Sequence, residues 1–146
     1  MTEPEPHDVL LQRLEETHRQ LQRRMIAKWN EASPMRLTRQ QANLLLHIGD
    51  CGHLSMSDLT EFLCVTSGAA TFVCDKLAEK GLIERTRQAG DRRVVSLQLS
   101  EEGRHTAGAI RRLKRSIAER MTEGVTQEEL DAVDRLFRTA LHNLSQ

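Results

Sequence analysis

Apolar positions along this chain recur first at helical spacing, then at strand spacing, then at helical spacing again. From His7 to about Glu31, Leu10, Leu14, Leu21 and Met25 return at intervals of four and seven with Arg and Gln between them. This is the pattern of a long amphipathic helix. Ser33-Pro34 ends it, because a proline disfavours helical geometry at the residue before it. Thr38 stands three residues before Gln41, a capping box that opens a second helix through Leu44, Leu45, Leu46 and Ile48. Apolar on most sides, this helix belongs in the interior. Gly49 and Gly52 bracket Asp50 and Cys51 in an expected turn. Ser55, three residues before Asp58, starts a short third helix with Leu59, Phe62 and Leu63 inward. After Cys64 and Val65, Thr66 or Ser67 caps a fourth helix that runs to Lys80 and stops at Gly81, where a glycine takes the left-handed position easily.

Past Gly81 the period falls to two. Leu82–Arg87 and Arg93–Leu99 read as strands, the second with Arg93, Val95, Leu97 and Leu99 on one face and Val94, Ser96 and Gln98 on the other. Gln88 to Arg92, containing Ala89-Gly90-Asp91, is the expected hairpin tip. Ser100 begins another helix, with Glu101 and Glu102 in its positive first turn and a stripe of Ala107, Ile110, Leu113, Ile117 and Met121. A further capping box, Thr126 with Glu129, opens the last helix, striped by Leu130, Val133, Phe137, Ala140, Leu141 and Leu144. The predicted fold is mostly α with a small β-hairpin wing: a single domain over 1–146, in which a winged helix-turn-helix core at 38–99 is flanked by helices at 7–31 and 101–146. The outer stripes exceed what such a core needs. They point to a second copy of the chain, so a homodimer is expected.

Composition narrows the class. Charged residues at 29%, aromatics at 3% and no Tyr among 146 residues describe a soluble, helix-rich protein. No apolar run approaches a membrane span, and the acidic start MTEPEPHD has no hydrophobic region behind it, so neither membrane nor secretion is expected. Three cysteines, Cys51, Cys64 and Cys74, lack close metal-type spacing and suit thiols in a reducing cytoplasm. The net charge of zero argues mildly against a nucleic-acid partner, but its distribution argues the other way. Arg85, Arg87, Arg92 and Arg93 face one acid, Asp91, in the hairpin, while Glu123, Glu128, Glu129, Asp131 and Asp134 offset them near the C-terminus.

Ser67, Gly68, Ala69, Ala70 and Thr71, all small, open the fourth helix. They would let its backbone approach base edges, with hydroxyls bonding to bases or phosphates and methyls touching thymine methyls. Close packing against a neighbouring helix explains small residues equally well. The basic hairpin at the right distance favours the first reading, and double-stranded DNA becomes the expected partner. Thr38, Arg39, Ser55 and Ser57, at helix starts, are candidates for phosphate, and each is also explained as a cap. Arg85 and Arg87 are open between phosphate contacts and solvated charge.

The stretch from Thr66 to Arg104 also resembles the MarR family of bacterial transcription regulators. The likeness lies in the T-S-G-A start at Thr66, the D-K-L-A-E-K-G-L-I-E-R passage from Asp75 to Arg85, the D-R-R of Asp91-Arg92-Arg93 and the closing L-S-E-E-G-R from Leu99. The resemblance implies a dimeric repressor on a pseudo-palindromic operator. It implies that Arg93 enters the minor groove with its guanidinium held by Asp91, that Arg92 serves nearby phosphate, and that small aromatic or phenolic acids bind between the dimer helices and the winged domain. Met25, Trp29 and His47 are the expected walls of that pocket, and Trp29 is explained equally well as a hydrophobic anchor for the dimer. Two departures from the family pattern stand out. Phe72 occupies a place that is often basic or polar, and either contacts bases or, as its size favours, turns inward. Cys64 replaces a frequent Gly in the turn between the two helices, which suggests a less strained turn.

No hydrolase, nucleotide-binding or zinc-protease motif occurs, so neither an enzyme nor a cofactor is expected. His47, Cys51 and His53 are close in sequence, but His47 falls in the buried helix and Cys51 in a turn, so no metal site is assigned. Two other readings remain: a winged-helix module that binds protein instead of DNA, and a redox regulator working through Cys64 or Cys74, which flank the start of the fourth helix.

Overall fold

The computed structural model describes residues 6–88 and 90–146, and among residues 88 and 91–94 only the backbone. Among the described residues, six α-helices surround a small sheet. Helix α1 (His7–Ala32) leads through a short turn of 3-10 helix at Pro34–Arg36 into α2 (Arg39–Cys51). A two-residue strand β1 (Leu54–Ser55) precedes α3 (Met56–Leu63) and α4 (Ser67–Glu79). Strands β2 (Ile83–Gln88) and β3 (Asp91–Leu99) form the hairpin, and α5 (Glu101–Met121) and α6 (Gln127–Leu144) close the chain.

Capping fixes most helix starts as the sequence pattern predicts. Thr38–Gln41, Ser55–Asp58 and Thr126–Glu129 are reciprocal capping boxes, and Thr66 and Ser100 accept from the amides of Ala69 and Gly103. Each satisfies amides that a helix start otherwise leaves unpaired. Leu44, Leu45, Ile48, Leu59, Leu77, Leu82, Leu97 and Ile110 are fully buried, so α2 runs through a core shared by α3, α4, the sheet and α5.

Three local expectations are corrected and one strand is added. Gly49 to Cys51 continue α2 instead of turning, and the left-handed residue is Gly52 at φ +78°. Gly49 serves packing: a Cβ there would lie 2.9 Å from Leu99 Cδ1. Strand β1 has no alternation to announce it, and exists because Leu54 and Ser55 pair antiparallel with Leu97 and Ser96 at the free edge of β3. The hairpin strands reach further than 82–87 and 93–99 suggest, to Gln88 paired with Asp91, so Arg92 and Arg93 sit on a strand beyond the tip. Finally, the turn after α3 is more strained, not less. Cys64 is left-handed at φ 51°, ψ 41°, where an L side chain crowds its own carbonyl and a glycine would not.

Candidate nucleic-acid interface

Helix α4 has two faces of opposite character. Ala70, Val73, Cys74 and Leu77 are buried, while Ser67, Gly68, Ala69, Thr71 and Phe72 are exposed. Close packing therefore explains only Ala70 among the small residues. A Cβ added at Gly68 would meet nothing within 4 Å, so this glycine leaves open space on the outer side. The Thr66 hydroxyl caps the helix by accepting from Ala69 N at 3.3 Å, and the Thr71 hydroxyl donates back to Ser67 O at 2.9 Å, leaving its methyl outward. With the positive end of the helix dipole behind it, this face suits a polyanion.

Phe72 is not turned inward. It is 61% exposed, and the Lys76 ammonium lies 5.4 Å from its ring centroid. Four residues apart on a helix, the two side chains share one stripe, and a cation over a ring face is attracted to its π density. Lys76 also pairs with Glu79 at 3.3 Å.

Arg85 is committed elsewhere than to solvent or phosphate alone. Its guanidinium donates to the Asp75 carboxylate, joining β2 to α4. Both groups are partly exposed, so the pair contributes little stability. It is a side-chain link between the helix and the first strand of the hairpin. Nothing in spacing announces it, because the partners are ten residues apart across the Gly81 turn. Arg87 is exposed on the same strand. The side chains of Asp91, Arg92 and Arg93 lie outside the described residues.

Thr38 and Ser55 act as caps: Thr38 accepts from Gln41 N at 3.1 Å, and Ser55 accepts from Asp58 N at 3.1 Å and donates to Asp58 Oδ2 at 2.7 Å. Those bonds to Ser55 hold the Asp58 carboxyl below its ordinary range. Ser57 is exposed on the first turn of α3, and Arg39 lines a cleft away from α4.

That cleft, about 220 Å³, lies between α1, α2 and α5 and is walled by Met25, Trp29, Ile117 and Met121 with Arg39 and Lys114 at its polar side. Trp29 is buried, its indole N–H donating to Leu37 O at 2.8 Å. Burial, then repulsion from Arg39, lowers the Lys114 pKa, and its ammonium donates to the Asn43 side-chain oxygen. Met25 and Trp29, expected from the sequence as pocket walls, both line this cleft, whereas its two cations were not among the expected walls. His47 is corrected: it lines a different cleft with Cys51 and His53, its ring stacked on Phe62 at 3.9 Å between centroids. Its Nε2 is 3.9 Å from Cys51 Sγ, and among the described residues no group of three or more His, Cys, Asp or Glu is arranged to hold a metal.

A tri-helical core whose last helix shows an open face, followed by a β-hairpin braced against that helix, is a winged helix-turn-helix domain. Residues 37–95 match the MarR family model. It is 32% identical over 94 residues to the HTH-type transcriptional repressor MdtR of Bacillus subtilis (strain 168), covering 64% of this chain and 61% of that protein. It is 28% identical over 113 residues to the multiple antibiotic resistance protein MarR of Salmonella typhimurium, covering 77% of this chain and 78% of that one. The crystal structure of Streptococcus pneumoniae FabT in complex with DNA superposes with a TM-score of 0.81 at 24% identity, covering 92% of this chain and 97% of that chain. At that identity the likeness to FabT is one of fold. Among the described residues, no helix is long and apolar enough to cross a membrane.

Proposed function

We propose that this protein is a cytoplasmic, sequence-specific DNA-binding transcription regulator that acts as a homodimeric repressor on a pseudo-palindromic operator. The observation that carries the reading is the outward face of α4, where small side chains surround one exposed aromatic and the helix is braced to the wing by Asp75–Arg85. Such a face can enter a major groove, and the helix dipole and caps favour phosphate beside it. Arg87 reaches phosphate from β2, and Arg92 and Arg93 serve phosphate and minor groove from the wing. Two copies would place their α4 helices roughly 34 Å apart, one turn of DNA. The name of MdtR, that of an HTH-type transcriptional repressor, supports this reading.

Fluorescence anisotropy with genomic duplexes tests it. Binding should weaken steeply as salt rises, because counterions are released from phosphates. Ala69→Glu, which places a carboxylate on the exposed face of α4, should abolish it. Affinity indifferent to both salt and Ala69→Glu would instead favour a protein-binding module.

The cleft beside Trp29 suits a small aromatic acid, whose ring would meet Met25, Ile117 and Met121 while its carboxylate meets Arg39 and Lys114. Quenching of Trp29 fluorescence by such acids, lost in Lys114→Met, is the expected signature. A redox role through Cys74 finds no support. Its thiol is buried, and burial pushes it up to about 11, which keeps it protonated and unreactive near neutrality.

A further inference from the structure

We infer that Phe72 is a specificity residue that reads a thymine 5-methyl group in the major groove of each half-site. The inference rests on the DNA-binding reading above and deepens it by naming the chemistry of one base. A lone exposed apolar side chain on a protein surface is ordinary. The surroundings of this one are not. Phe72 is 61% exposed at the centre of the outer face of α4, and the residue one turn before it, Gly68, has no side chain and open space around it. Ser67 and Thr71, also exposed, are short. The ring is therefore the largest apolar group on the N-terminal half of that face, and nothing from the preceding turn shields it.

The turn after it fixes the other side. The Lys76 ammonium lies 5.4 Å from the ring centroid, so the cation attracts one face of the ring and favours a single orientation. Lys76 is in turn paired to Glu79 at 3.3 Å. A ring presented in this way offers neither a hydrogen-bond donor nor an acceptor. Against the edges of guanine, adenine or cytosine it would strip water from polar atoms and return nothing, which is unfavourable. The one apolar group displayed in the major groove of unmodified DNA is the thymine methyl. Ring and methyl exclude water from each other, and the base under Phe72 is selected for its methyl alone.

The experiment selects duplexes from a random library with the full-length wild-type protein, then replaces each thymine of the selected site singly with deoxyuridine, which lacks only the methyl. Binding is read by anisotropy at fixed salt. At one symmetry-related position the loss should be about fourfold for each half-site altered, the equivalent of one methyl removed from an apolar contact. Phe72→Ala should bind the thymine and deoxyuridine sites equally, and Phe72→Leu should keep most of the preference. Both variants change an exposed side chain, and unchanged thermal melting confirms that each is folded. Wild-type indifference to deoxyuridine at every position, or the same fourfold loss in Phe72→Ala, overturns the inference while leaving DNA binding intact. Selection of no sequence by the wild type overturns the DNA-binding reading and this one with it.

Discussion

Helices α2 and α6 carry apolar residues at comparable spacing, yet the chain treats them in opposite ways. In α2, Ala42, Leu44, Leu45 and Ile48 are all fully buried. In α6 no residue is buried, and Leu141 and Leu144 are 68% and 87% exposed. Helix α1 sides with α6: Val9, Leu11, Leu14, Leu21 and Ile26 are exposed, and only Trp29 reaches the core. Periodicity alone shows that a helix has something to bury; it is silent on where. The central helices find their partner within the chain. The terminal stripes have theirs still to meet, and a second copy with matching stripes is the partner proposed.

The sharpest way to break this contrast is to charge the outer stripe. Leu141→Asp should leave the fold of 38–99 intact but weaken self-association by about 3 kcal/mol or more, because a carboxylate would be buried without a partner. Light scattering of the wild type should give near twice the 16.6 kDa chain mass, and the variant should fall toward one chain. A wild-type protein at 16.6 kDa at micromolar concentration would leave the terminal stripes solvent-facing and the comparison without its explanation.

On the inner side, Gly103→Ala should cost about 3 kcal/mol by overpacking, independent of protein concentration, in urea unfolding. A Cβ at Gly103 would stand 2.0 Å from the Leu82 carbonyl oxygen, and a backbone atom cannot step aside as a side chain can. Gly49→Ala should cost less, since its clash at 2.9 Å is with the movable end of Leu99. Equal costs would show that the α5 contact is looser than its geometry.

The thiols sharpen the same division between inside and outside. Alkylation of the native protein near pH 8 should modify exposed Cys51 and Cys64 and spare buried Cys74. Burial raises the Cys74 pKa from 9.0 to about 11, so the folded state prefers its neutral thiol. Its contribution to stability is complete below pH 9 and is lost as pH rises toward 11, whereas Cys74→Ser should flatten that loss. The smallest effect expected is a gain. Cys64→Gly relieves a left-handed L-residue at φ 51° and should stabilise the fold by about 0.5–1 kcal/mol after the added flexibility of the unfolded chain is offset. Destabilisation would mean that the bond from Cys64 Sγ to Glu61 O, at 3.5 Å, outweighs the strain.

The order of the helices and the hairpin, the capping residues and most inner-face positions of α2 to α5 could be read from the chain, because caps and amphipathic stripes act within a few residues of one another; Phe62, expected inward on α3, is instead 41% exposed. Thr38, Ser55, Thr66, Ser100 and Thr126 each bond to an amide three residues ahead, so their roles need no tertiary contact. The outward placement of Phe72 was not legible in that way, since an aromatic in a helix is apolar whichever way it points; the packing of Ala70, Val73, Cys74 and Leu77 inward turns it out. The bond from Arg85 to Asp75, the separation of His47 from Trp29, the cations beside the Trp29 cleft and the pairing that makes β1 a strand all join residues distant in sequence or facing different ways around one helix. Local sequence decides which segments fold as helix and strand, because the bonds that form them are local. Only the packed chain decides which of their faces is spent on the core and which stays exposed, because that is a competition among all the faces at once.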